Sequence, residues 1–459
     1  MICDGKWKLR QPTMMIGRAV ALTWIAACSV PALLVAAPAG QLQVGSTDLA
    51  ASERSSFDSS PADPTTLVGK VMVGYQGWFN CKGDGSQLGW KHWARHGSRP
   101  AAGNVTVDLW PDMTELEADE KFETDFRQAD GSPASVFSSA NPKTVARHFT
   151  WMRNYGIDGA FLQRFANQLT DPQRRQNVDR VLANVRNGAR QSSRVYAVMY
   201  DLSGMRAGRL SVVKQDWVRL RSESKVTGDR AYLYLDRKPL VAIWGIGFSD
   251  GRQYTLDETL DLVKWFKANG CAVMLGVPTY WRERKRDALD DPKLLQTIEL
   301  ADVVSPWSVG RYRDPQEARR HADRVWRTDR EWCQAKGIEF LPVVFPGFSW
   351  HQLKGEPLDQ IPRRKGEFFW SQVEAAKRAG CNMIYVAMFD EVDEGTAIFK
   401  CTNEPPLGDG FEFLTYEGLP SDHYLKLAGK AGQLIEQSKP KPAPVVERPD
   451  NQCSSKSND

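Results

Sequence analysis

Four carboxylates occupy five consecutive positions in Asp390-Glu391-Val392-Asp393-Glu394. Glu391 and Glu394 stand three residues apart, as do Asp390 and Asp393, so a helical turn there places each pair on one face. Ionising all four at such spacing is costly, and some of them are expected to hold protons near neutral pH. One protonated and one ionised carboxyl are what acid/base cleavage of a glycosidic bond requires. Two other readings fit the same residues. One is a solvated acidic turn. The other is a divalent-cation site serving a metal-dependent hydrolase or lyase; with no histidine beside the cluster, calcium or magnesium suits it better than zinc.

Aromatic residues accompany this segment in unusual number. The chain has 16 tryptophans in 459 residues, and no small core needs so many large rings. Many follow short apolar runs, as in Tyr75-Gln76-Gly77-Trp78, Gln163-Arg164-Phe165, Tyr200-Asp201 and Ser349-Trp350-His351. Flat rings beside polar groups suit a sugar, whose C–H faces stack on aromatics while its hydroxyls need fixed partners. Glu391 and Glu394 are therefore the candidate catalytic residues. Tyr75, Trp78, Gln163, Arg164, Tyr200, Asp201, Trp244, Tyr280, Trp307 and Trp350 are the candidate substrate-binding residues. Trp90, His92 and Trp93 join them, because a histidine set between two tryptophans reads as part of a sugar subsite. The competing readings make some rings plugs in a barrel mouth, or Arg164 a structural partner of Asp201 or Asp158. A non-catalytic carbohydrate-binding barrel would need the aromatics but not the paired acids. No cofactor or resident metal is expected.

The elements that position these residues are legible as an alternation. Apolar runs at 71–75, 157–162, 195–200, 240–244, 272–277, 303–307, 340–345 and 383–388 are short, uniformly apolar and rich in β-branched residues, which suits strands buried on both faces. Helix starts are marked by Asn141-Pro142, Asp171-Pro172, Asp314-Pro315 and the Thr255/Glu258 capping box, and a further helix begins near Arg364. Gly156, Gly270, Gly337 and Gly380 fit helix ends. Eight strands with helical crossovers predict a (β/α)8 TIM barrel of the α/β class, a single domain over residues 67–437 with its working face at the C-terminal strand ends. The alternative is an open doubly wound sheet, which the lack of a Gly-rich phosphate turn after the first strand weakens. Residues 232–240 read as a hairpin, and residues 80–140 as a long loop insertion after the first strand with no clear element.

The ends of the chain read differently. Lys6, Lys8, Arg10 and Arg18 precede an apolar stretch and then Ala37-Pro38-Ala39, the pattern of a signal peptide over 1–39. Ile25-Ala26-Ala27-Cys28 also resembles a lipid-attachment box, so the exported chain is periplasmic or extracellular, free or anchored through Cys28. Residues 40–66 are a linker and 438–459 a disordered tail. Export permits a disulfide, and Cys81 with Cys401 is the candidate pair, since the loops after the first and last strands of a barrel share a rim. A net charge of +4 supplies no electrostatic case for nucleic acid, and no later segment has the ~20 apolar residues of a membrane span. The expected partner is a carbohydrate substrate, and a monomer is expected.

Glu391-Val392-Asp393-Glu394-Gly395-Thr396 resembles the Glu-x-x-Glu-Gly-Thr element of glycoside hydrolase family 99, the endo-acting α-mannosidases, and of the looser 71/99-like group. Val73-Gly74-Tyr75-Gln76-Gly77-Trp78-Phe79 is similar to that group's first strand, and the likeness spans about residues 68–430. It implies retention through a 1,2-anhydro sugar, with Glu391 as the base that deprotonates the 2-hydroxyl and Glu394 as the acid that protonates the departing oxygen. Between its glutamates the family usually has an aromatic residue and a histidine; this chain has Val392 and Asp393.

Overall fold

The eight apolar runs pair in parallel and in chain order. In the computed structural model, which describes residues 57, 59–408 and 411–436, the strands are β1 (Val71–Tyr75), β2 (Phe122–Arg127), β3 (Pro133–Val136), β4 (Gly159–Phe165), β5 (Val195–Asp201), β6 (Tyr234–Leu235), β7 (Lys238–Trp244), β8 (Ala272–Pro278), β9 (Val303–Trp307), β10 (Glu339–Phe340), β11 (Val343–Val344) and β12 (Ile384–Val386). The parallel order runs β1, β4, β5, β7, β8, β9, β10, then β11, β12 and back to β1. The run at 340–345 is thus one barrel strand in two pieces. Leu341 N–H still bonds to the β9 side at Val304. Pro342, which has no N–H to offer, gives its carbonyl to Tyr385 of β12 instead. The partner change occurs between them and closes the ring, a single (β/α)8 barrel. Every residue of β5 and of β8 is buried, as strands covered on both faces require.

The helices are α1 (Pro142–Asn154), α2 (Pro172–Ser192), α3 (Ser211–Ser222), α4 (Leu256–Ala268), α5 (Lys293–Ile298), α6 (Pro315–His321), α7 (Arg327–Ala335), α8 (His351–Lys354), α9 (Glu367–Arg378) and α10 (His423–Glu436). Their starts are held by the residues that marked them. Asn141 accepts from Lys143 N–H, Asp171 from Arg174 N–H, and Thr255 with Glu258 forms both bonds of a capping box. Each cap satisfies an N–H that the first turn leaves without an intrahelical acceptor. The 232–240 hairpin is present as the antiparallel pair β6–β7. No helix among the described residues is long and apolar enough to cross a membrane.

The insertion at 80–140 is more ordered than its sequence implied. It contains the antiparallel pair β2–β3, whose six- and four-residue runs mix charged and small residues and carry little alternation. It is stitched to the segment after β12 by bridges Leu109–Leu414, Pro111–Cys401 and Arg127–Leu407. The proposed disulfide is absent. Cys81 and Cys401 are both free and buried. The insertion separates them: the Cys81 thiol donates to the Phe137 carbonyl at 3.2 Å, while Cys401 lies against Pro111 and Tyr416. Cys271 and Cys381 are also buried free thiols. At the other end of the barrel, Phe57 packs on Tyr155 and Arg194 donates to the Ser59 and Ser60 carbonyls, so Phe57, Ser59 and Ser60 are tied to the barrel. The signal segment with Cys28, the tail and Cys453 lie outside the described residues.

Candidate active site

A cavity of about 880 Å³ opens at the C-terminal ends of the strands. Glu391 and Glu394 both line it, together with Trp78, Trp90, His92, Gln163, Asp201, Trp244, Trp307 and Trp350. Adjacent residues of a strand point to opposite faces, and this decides which expected residues reach the cavity. Gln76, Gln163 and Asp201 face inward, so their neighbours turn out.

The expected roles of those neighbours are corrected accordingly. Tyr75 is fully buried behind the wall, its hydroxyl 2.9 Å from His148 Nδ1. Tyr200 is buried and donates to Asp216 at 2.8 Å. Arg164 borders the cavity, but its guanidinium is committed to Asp216 at 2.6 and 2.7 Å and to Asp179 at 2.6 Å, not to Asp201 or Asp158. Trp93 fills the core of the insertion, 4.5 Å from the Phe79 ring, with its indole N–H on the Phe137 carbonyl. Tyr280 lies outside the cavity lining, under the Arg286 guanidinium at 4.3 Å.

The acidic segment is a tight turn whose four carboxylates do four different things. Asp390 accepts from the Gln76 and Gly77 N–H groups at 2.7 and 2.9 Å, which locks the end of β1 to the end of β12. Burial pushes its pKa up to about 7, with the two N–H donors opposing. Glu391 accepts from Gln76 Nε2 and from Thr396 Oγ1, the latter at 2.6 Å. Its pKa is raised by burial first, then by the charges of Glu394 and Asp393, while those two donors oppose the rise. Asp393 bonds to His92 Nδ1 at 2.9 Å. Glu394 is pushed up to about 8, by burial first and by Asp393 second; the Trp350 indole and Lys354 pull it down, and Asp201 adds to the rise. Gly395 makes the turn possible: its φ is +63°, and a Cβ there would sit 3.0 Å from Ser349 N. Among the described residues no three carboxylate, imidazole or thiol side chains are grouped as a metal site needs.

The opposite wall is aromatic. Trp244 and Trp307 meet edge to face at 5.4 Å, and the Arg252 guanidinium lies 4.9 Å from the Trp244 ring. Asp250 holds Arg252 by two 3.0 Å bonds. Trp244 lies directly over Gly276, where a Cβ would be 2.4 Å from its ring. Trp244 Nε1, Gln163 Oε1 and Asn167 Oδ1 are buried without a protein partner, so this wall offers both hydrogen-bond donors and acceptors to a ligand.

No family model matches the chain and no curated protein matches it. Solved structures do. The GH99 endo-α-mannosidase from Bacteroides thetaiotaomicron superposes with a TM-score of 0.58 at 16% identity, over 81% of this chain and 99% of that one. The chain has the GH99 barrel fold. A second structure of that mannosidase, in complex with bis-tris-propane, has the same TM-score at 15% identity and the same coverage. A glycoside hydrolase-like protein is more distant, at TM-score 0.47 and 14% identity.

Within this GH99-like fold, some lining residues had no signal in the sequence. Arg252 and Asp250 lie beyond the end of β7 in a loop without a motif, and Lys354 lies in the short helix after β11. Gln76 was findable: it stands one residue from Tyr75, so assigning the strand's faces would have exchanged the two.

Proposed function

We propose that the protein is an exported, monomeric glycoside hydrolase that cleaves glycosidic bonds in a polysaccharide or glycan. One observation carries the reading: two glutamates of unlike surroundings share one tryptophan-lined cavity. Gln76 and Thr396 donate to Glu391, and donors favour the ionised form. The Asp393 charge favours the neutral form of both glutamates and is the leading charge acting on Glu394. Glu391 is accordingly the base and Glu394 the acid. In the sequence the resemblance implies, Glu391 takes the proton of the sugar 2-hydroxyl. That oxygen then displaces the leaving group from the adjacent carbon, and Glu394 gives its proton to the departing oxygen. A 1,2-anhydro sugar results, which water opens as Glu394, now ionised, accepts the water's proton and Glu391 returns its proton to the 2-oxygen. Trp90, His92, Trp244, Trp307 and Trp350 supply ring faces, with Trp78 backing His92, and Gln163 and Asp201 supply hydrogen bonds. Export rests on the basic and apolar N-terminal pattern with Ala37-Pro38-Ala39.

The test is hydrolysis of a glycan panel, α-mannosides first, by the purified protein. Release of reducing ends that disappears in Glu391→Gln and Glu394→Gln is expected. Turnover in either variant equal to the parent would overturn the assignment.

A further inference from the structure

His92 is unusual in three respects. It is a non-glycine residue at φ +61°, a conformation kept only where the surroundings enforce it. Its ring lies flat on Trp78, with centroids 3.9 Å apart and planes 5° from parallel, and Trp78 in turn stacks on Phe165 at 5.2 Å. Its Nδ1 reaches across from the insertion to Asp393 Oδ2 at 2.9 Å. Asp393 is 1% exposed, and its other oxygen, Oδ1, has no partner. This carboxylate sits between the two glutamates in sequence and is oriented by a ring that is itself clamped.

Building on the proposed function, we propose that His92 and Asp393 are a positioning pair that holds a negative charge against the two glutamates and keeps Glu394 protonated. Asp393 contributes charge beside Glu394, and His92 anchors that charge by giving it a hydrogen bond. The other groups facing Glu394 are Glu391 in the same turn, Asp201 at the end of β5, and Lys354 with Trp350 from the segment around α8. Asp201 acts in the same sense as Asp393, and Lys354 and Trp350 oppose. Asp393 is the group among them that a second element of the fold, the insertion, holds in place through a side chain. If His92 is removed, Asp393 loses its anchor and can turn away from Glu394. The effect on Glu394 then has the same sign as neutralising Asp393 itself.

The experiment is a carboxyl ¹³C NMR titration of glutamate-labelled full-length protein, with the Glu394 signal assigned by its loss in Glu394→Gln. Asp393→Asn is expected to lower the Glu394 midpoint by about one pH unit or more, the size of effect a like charge at contact produces. His92→Phe keeps a flat ring on Trp78 and removes the hydrogen bond, so it is expected to lower the same midpoint. An unchanged midpoint in both variants overturns the proposal. A shift in Asp393→Asn with a parental midpoint in His92→Phe also overturns it, by reducing His92 to a stacking ring. Should Asp393→Asn not fold, His92→Phe and His92→Gln carry the test. The titration needs no substrate, so a protein that hydrolyses no glycan counts against the glycosidase reading and leaves this result to be judged alone.

Discussion

The two walls of the cavity are built on different principles. The wall formed by the ends of β1 and β12 is a hydrogen-bond network built on carboxylates: Asp390 ties down two N–H groups, Gln76 and Thr396 hold Glu391, and His92 holds Asp393. The wall formed by β7, β8 and β9 is rings and unused polar atoms, with Trp307 edge to face on Trp244, Arg252 over the Trp244 ring and Trp244 Nε1 free of partners. The first arrangement fixes proton positions at low dielectric; the second presents surface to something that brings its own hydroxyls. On the proposed function, chemistry is separated from recognition, and each wall is expected to fail in its own way.

The largest effect belongs to the acid wall. Glu391→Gln and Glu394→Gln are each expected to lower turnover by roughly 10²–10⁴-fold, with glycan affinity measured by calorimetry retained. Loss of affinity matching the loss of rate would erase the distinction between the walls. The pH profile follows from the same residue: Glu394 must be protonated to act, so kcat/KM is expected to fall as pH rises through about 8. A flat profile between pH 6 and about 10 would deny it the acid role.

Behind both walls, Arg164→Met is expected to cost about 3 kcal/mol in chemical denaturation, the low end for a broken buried pair, because Asp216 loses its buried cation but keeps Arg219 and Tyr200. Its substrate preference should be that of the parent. Asp390→Asn is next, at about 1–3 kcal/mol, since an amide turns one donor towards an N–H that needs an acceptor. The sign of its pH dependence is also set. Asp390 is raised to about 7 in the folded state, so the native state binds more protons than the unfolded one above the ordinary carboxylate value of 3.8. Its contribution is greatest below that value and is lost as pH rises towards 7, so the parent's stability should decline over that window more than the variant's. On the recognition wall, Trp244→Ala is expected to raise KM several-fold, in line with the roughly 0.5–1.5 kcal/mol of an aromatic contact, with kcat changed less. A kcat loss larger than the KM rise would place Trp244 with the chemistry.

Much of this was open to reading in the chain. Strand runs at 71–75 and 303–307 match their observed bounds, and the capping residues Asn141, Asp171, Thr255 and Asp314 start the helices they were expected to start. These are local matters: a buried parallel strand needs an unbroken apolar run, and a cap needs one side-chain oxygen two or three residues from an N–H. The acid pair was legible for the same reason, since four carboxylates in five residues must be pushed apart in proton affinity wherever they lie. Local sequence could not say which face of a strand a residue takes until the register was known, so Tyr75, Arg164 and Tyr200 were expected in the cavity that their neighbours Gln76, Gln163 and Asp201 line. It could not show that Cys81 and Cys401 are kept apart by the insertion, or that Arg252 and Lys354 return to the site from loops without a motif. The sequence by itself determined a barrel and the chemical type of its site, because periodicity and charge crowding act between near neighbours. The tertiary structure alone decided the company each carboxylate keeps, because His92 stands 301 residues from Asp393 and Gln76 315 from Glu391, and each pair meets only when the ring closes.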